Sequence, residues 1–132
     1  MTTTTKGISR GCADDLLCGI NTSRDLDGAS DLEKEHLPII QAPERVAWGE
    51  GFDVSVQVGA LLDHPNEPSH HIEFIELYAD HAHLVRMDCA GGRCQPLMHA
   101  RLCLDHDYTR LRAFGHWNLH GSWEWDQPIE AA

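Results

Sequence analysis

Apolar and polar residues alternate through Phe52-Asp53-Val54-Ser55-Val56-Gln57-Val58. That is the period of a strand with one face buried. The strand is read over residues 45–58, with Gly49 and Gly51 marking a turn before the alternating part. A second strand rich in Ile, Phe, Leu and Tyr is read over 71–79, and a third over 82–87, joined through the hairpin residues Asp80-His81. Gly91-Gly92 breaks the chain; 97–104 and 109–114 then read as another pair of strands around Asp105-His106-Asp107. The closing stretch GHWNLHGSWEW reads as an aromatic loop. No stretch carries a convincing amphipathic helix. About five to seven short strands with turn signals every ~8–12 residues predict an all-β fold, an antiparallel β-sandwich of immunoglobulin-like kind. Residues 1–30, rich in Thr, Ser, Asp and Gly, read as an irregular arm, and 31–132 as a single metal-binding domain.

Composition narrows the classes. With 132 residues, 42% hydrophobic and 23% charged, the chain suits one soluble domain. No apolar run approaches the ~18 residues of a membrane span. The first twenty residues hold acidic side chains where a secretory signal needs an apolar stretch, so the cytoplasm is the expected compartment. A net charge of -11 argues against nucleic acid as a partner. It also repels small anions unless a local positive site offsets it. The five cysteines, Cys12, Cys18, Cys89, Cys94 and Cys103, lack the C-x-x-C pairs of a zinc ribbon. Free thiols are the reading for a reducing cytoplasm; a Cys89–Cys94 disulfide across Ala-Gly-Gly-Arg and a soft-metal site are the alternatives.

Ten histidines stand out in a chain of this length. Three of them, His64, His70 and His71, fall in HPNEPSHHIEFIELYAD, where Pro65 and Pro68 stiffen the segment before a strand. A stiff loop of imidazoles suits iron, copper, nickel or zinc; a histidine-rich surface loop is the plain alternative. His36, two residues before Pro38, is expected extended or in a turn. Three separated segments, KEHLP, HPNEPSHH and WNLHG, thus carry histidines beside turn formers. A sandwich gathers such loops at one end to build a site.

Together LEKEHLPII, the FDVSVQVG strand, HPNEPSHHIEFIELYAD and the closing NLHGSWE resemble the iron-binding domain of the superoxide reductases, the neelaredoxins and desulfoferrodoxins. The resemblance covers about residues 31–124. It implies one iron per chain, held by four equatorial histidines with an axial cysteine thiolate and an open position opposite. Matched motif by motif, the ligands are His36, His64, His70 and His120, and His71 points elsewhere because successive strand residues face opposite ways. Superoxide, or another small oxidant, is the implied substrate. An external electron donor is implied as well, as is a dimeric or tetrameric assembly. Asn118 is expected to orient the site. The cysteine pairs of the rubredoxin-like module found in some members are missing.

Two departures from the family pattern matter. Where the family has cysteine in C-N-x-H-G, this chain has Trp117, and an indole nitrogen is a donor with no lone pair for a metal. His116, Cys103 and Cys89 are alternative sources of a fifth ligand. Where the family usually has lysine before the first histidine, Glu35 stands, with Lys34 one step back. Lys34 is then the nearby cation, and Glu33 or Glu35 the carboxylate able to reach the open position. Trp123 and Trp125 are expected to pack, and Glu124 to face solvent. Without the thiolate's electron donation, four imidazoles stabilise the ferrous state, and copper or zinc becomes competitive. Two further classes stay open: a non-catalytic metal carrier or sensor, and an oxidoreductase turned to another small molecule.

Overall fold

The computed structural model of the chain describes residues 19–62, 67 and 69–132. The elements run β1 (Ile20–Asn21), α1 (Asp31–His36), β2 (Pro38–Gln41), β3 (Arg45–Val46), β4 (Gly51–Val58), β5 (Ile72–Ala79), β6 (Ala82–Asp88), β7 (Leu97–Cys103), β8 (Arg110–Trp117), β9 (Gly121–Pro128) and β10 (Glu130–Ala131). One sheet has the order β1-β9-β8-β5-β6 and the other β2-β4-β7, with β10 and β3 forming a small two-stranded piece. The expected sandwich is therefore present, antiparallel except for β1 beside β9 and β10 beside β3. No described helix is long and apolar enough to cross a membrane.

The alternation that predicts β4 also builds the core. Phe52, Val54, Val56 and Val58 point inward and Asp53 and Gln57 outward. Leu77, Leu111, Ala113, Trp117 and Trp123 answer from the five-stranded sheet, all fully buried. Full burial of an aliphatic side chain of this size contributes roughly 1.5–3 kcal/mol. On β5, Ile72 and Ile75 are both fully buried although three residues apart, which strict alternation forbids. A register shift against β8 between Ile72 and Phe74 supplies the missing residue. Gly115 of β8 faces the opposite sheet: a Cβ there would stand 3.3 Å from Val58 Cγ2 and 3.9 Å from Pro38 Cβ.

Three local expectations need correction. His36 closes a six-residue helix, not an extended segment or turn. A capping box starts that helix: Ser30 Oγ accepts from the Glu33 N–H at 3.2 Å, and Glu33 Oε1 accepts from the Ser30 N–H at 2.8 Å. Pro38 ends the helix rather than preventing it. The strands read over 97–104 and 109–114 do not pair with each other. β7 pairs with β4, while β8 pairs with β5 and β9, so the intervening loop crosses between sheets. The aromatic tail is not a loop: β8 runs on to Trp117, residues 118–120 turn, and β9 returns antiparallel from Gly121. Of the arm read over 1–30, residues 1–18 lie outside the described set, and Ile20–Asn21 adds a short strand to the edge at β9.

Candidate metal centre

Three of the four predicted ligands meet at one end of the sandwich. His36, His70 and His120 each offer a ring nitrogen, and these lie within 4.8 Å of one another. The fourth, His64, lies outside the described residues. The three arrive from different elements: the last residue of α1, the segment before β5, and the turn between β8 and β9.

His36 is held most firmly. Its Nδ1 lies 2.7 Å from the Leu32 carbonyl one helical turn back. A carbonyl only accepts, so Nδ1 carries the proton and the Nε2 lone pair faces the cluster. The ring is 1% exposed, stacked on Trp123 at 5.0 Å and edge-on to Trp117 at 5.6 Å. His36 Nε2 lies 2.8 Å from His120 Nδ1, and His70 Nε2 lies 3.3 Å from the same atom. Two rings therefore offer Nε2 and the third Nδ1. In the neutral cluster one proton on His120 Nδ1 bonds to His36 Nε2. A cation held at the convergence would take the place of that proton, with His120 then carrying its own on Nε2.

His70 and His120 are only partly buried, and Asn118 fixes the backbone that bears them. Its Oδ1 accepts from the His71 N–H at 2.8 Å, its Nδ2 donates to the Ser69 carbonyl at 2.9 Å, and its own N–H donates to the His71 carbonyl at 3.2 Å. The His70 N–H donates to the Glu67 carbonyl at 3.0 Å, and the Glu67 N–H donates to the His70 carbonyl at 2.8 Å. Trp123 Nε1 donates to the His120 carbonyl at 2.9 Å. Burial, and then the His70 charge, push His120 below the ordinary histidine value of 6.5, while Glu35 acts the other way. Near neutral pH the ring is uncharged, as a ligand must be.

The remaining candidates fall into place around this cluster. Trp117 is fully buried and edge-on to His70 at 6.5 Å as well as to His36, so its indole covers the inner side of the histidines. His71 turns away, its ring against the Glu67 carbonyl at 3.1 Å. His116 lies on the other face of β8, stacked on Phe74 and bonded to Ser122 and Glu73. Glu33 is 3% exposed and engaged by the helix cap and by Ser23 Oγ at 3.2 Å, while the Glu35 charge acts on His120. Lys34 sits in the last turn of α1, where a cation complements the helix end; among the described residues it forms no ion pair. Glu124, expected in solvent, is half-buried against Arg112 at 3.5 Å, and burial followed by Asp126 raises its pKa. Cys89, Cys94 and Cys103 are free thiols.

Sequence reasoning passed over the capping box, although Ser30-x-x-Glu33 is its ordinary signature. It had no means of finding the Leu32 carbonyl or the Trp123 stack. A cavity of about 320 Å³ lined by Phe74, Glu76, Tyr78, Arg112 and Phe114 opens on the outer face of the larger sheet, and no cluster histidine lines it.

A β-sandwich of immunoglobulin-like kind whose end segments converge three imidazoles defines a class: a sandwich with a candidate histidine metal site. The chain belongs to the desulfoferrodoxin family, whose model matches residues 28–126. The desulfoferrodoxin of Nitratidesulfovibrio vulgaris is 34% identical over 118 residues, covering 89% of this chain and 82% of the relative. A Methanocaldococcus jannaschii protein is 35% identical over 114 residues, covering 85% and 94%. The superoxide reductase (neelaredoxin) of Ignicoccus hospitalis superposes with a TM-score of 0.72 at 34% identity, covering 86% of this chain and 95% of that one.

Proposed function

We propose that the chain is a mononuclear non-haem iron protein that reduces superoxide by one electron to hydrogen peroxide, with His36, His64, His70 and His120 as equatorial ligands. The convergence of three ring nitrogens on one point carries this reading. The donor set fits: His36 has a fixed tautomer, and His120 is held neutral by burial. Membership of the desulfoferrodoxin family and the likeness to the Ignicoccus hospitalis superoxide reductase favour iron over copper and zinc, which the same imidazoles also suit.

Bound iron supplies the electron and is restored by an external donor. The chain's own residues do the rest. Trp117 and Trp123 close the inner side against water. His70 and His120, only partly buried, leave the outer side as the approach. Lys34, in the last turn of the helix that carries His36, is the cation that would attract the anion against a net charge of -11. Glu35, whose charge acts on His120, is the carboxylate that would approach a metal held there.

A second reading, a non-catalytic metal carrier or sensor, is favoured by one observation. Trp117 stands buried where the family pattern has cysteine, and it brings no lone pair. Superoxide decay measured with the ferrous protein separates the two: a rate no better than free ferrous ion favours the carrier or sensor. Metal analysis should give about one iron per chain. Thiolate-to-iron absorption should be missing in the wild type and present in iron-loaded, folded Trp117→Cys; a featureless spectrum there would remove the proposed iron position.

A further inference from the structure

A second cluster of redox-capable side chains lies outside the histidine site. Cys89 directly follows β6, and Cys94 lies in the loop that crosses from the larger sheet to β7. Between them the chain turns back on itself. The Arg93 N–H donates to the Ala90 carbonyl at 2.9 Å, and Gly91 and Gly92 take positive φ of 38° and 81°. Both ends of the crossover are anchored. The Cys89 N–H donates to the Glu73 carbonyl at 2.8 Å, and the Val58 N–H to the Pro96 carbonyl at 2.9 Å. The two cysteines thus flank a closed turn that brings their side chains back towards each other, and a bond between the two thiols favours the protonated form of Cys89. Both are reduced, and neither is fully buried.

We propose that Cys89 and Cys94 form a reversible dithiol–disulfide couple that takes hydrogen peroxide as its oxidant. The contact assigns the roles. Burial first, and then the bond to Cys94, push the Cys89 thiol up to about 12, so it keeps its proton. Cys94, which accepts that bond, is the attacking sulfur. Its thiolate attacks one peroxide oxygen, the O–O bond breaks, and the departing hydroxide takes a proton to become water, leaving Cys94 as a sulfenic acid. The Cys89 sulfur then attacks the Cys94 sulfur, the S–O bond breaks, and the Cys89 proton leaves with that oxygen as a second water. Two thiols lose two electrons, and one peroxide becomes two waters. An external dithiol reverses the change by exchange. The couple does not depend on how the histidine site is read, since any source of peroxide serves.

The test adds about one equivalent of hydrogen peroxide to the reduced full-length protein, followed by intact mass and non-reducing peptide mapping. The expected result is loss of two hydrogens, a Cys89–Cys94 cross-link, and full reversal by dithiothreitol. In Cys89→Ser, Cys94 should be trapped as a sulfenic acid by dimedone; in Cys94→Ser, Cys89 should stay reduced. A cross-link from Cys94 to Cys12 or Cys18, or oxidation of Cys103 with Cys89 and Cys94 left reduced, would overturn the proposal. Because the oxidant is added directly, a protein inert to superoxide still gives a clear answer.

Discussion

The two sides of the histidine cluster are held by different physics. His36 ends a capped helix, is fully inside the core, and is gripped through both its ring nitrogen and its ring face. His70 and His120 are partly exposed; the Asn118 side chain clamps the residues on either side of His70, and Trp123 Nε1 holds the His120 carbonyl. One side is fixed by folding itself; the other is fixed by a clamp laid over the fold. Affinity for a cation should therefore be most sensitive on the clamp side, and stability most sensitive on the helix side.

The largest effect is expected from Asn118→Ala. Loss of its two side-chain bonds should weaken metal affinity ~10–100-fold while costing about 1 kcal/mol of stability. Metal titration and denaturant unfolding of the same variant check both numbers. Glu33→Ala should do the reverse. It removes the acceptor for the Ser30 N–H and the Ser23 hydroxyl and should cost about 1–2 kcal/mol. Affinity should fall less than in Asn118→Ala, because Leu32 and Trp123 still hold His36. Glu33→Gln, which keeps a capping acceptor, should restore most of the loss. Equal effects of the two alanine variants on affinity would erase the contrast.

A control far from the centre sharpens it. At the β5–β6 hairpin Asp80 accepts from Thr109 Oγ1 at 2.7 Å and from the Thr109 and Arg110 N–H groups. The Thr109 hydroxyl above all holds its carboxyl below the usual 3.8, against a smaller opposing effect of burial. The folded pKa is depressed, so the stabilisation is present above 3.8 and lost as pH falls through the lower folded value. Asp80→Ala should cost no more than about 1 kcal/mol at neutral pH, given its position near the surface. Its Tm should converge with the wild type in acid, and metal affinity should stay unchanged. The smallest effect is expected from Glu35→Gln. Removing the charge that opposes burial should move the His120 titration of the metal-free protein further down, as followed by NMR.

The strand β4 was readable because its alternation is unbroken, and its burial follows it residue by residue. The helix was not, because six residues are too few to display a period and Pro38 suggested extension. The pairing of β7 and β8 misled for a topological reason: a hairpin and a crossover between sheets can share the same loop length and turn residues. The three histidines that meet, His36, His70 and His120, were visible through their motifs. Which nitrogen each presents was not, since that depends on the Leu32 carbonyl and on the turn at residues 118–120.

Gly115 has a bearing on how freely the protein can vary. It lies two residues before Trp117, and Pro38, which it faces, lies two residues after His36. One added methyl would press on the Val58 side chain, which must give by a few tenths of an ångström, and would fill the space up to ordinary contact with Pro38. The spacing of the two sheets beside the site thus leaves room for little more than a hydrogen atom at this position. A randomised library selected for metal retention should return glycine here even where it accepts wide change on the solvent face of the same strand.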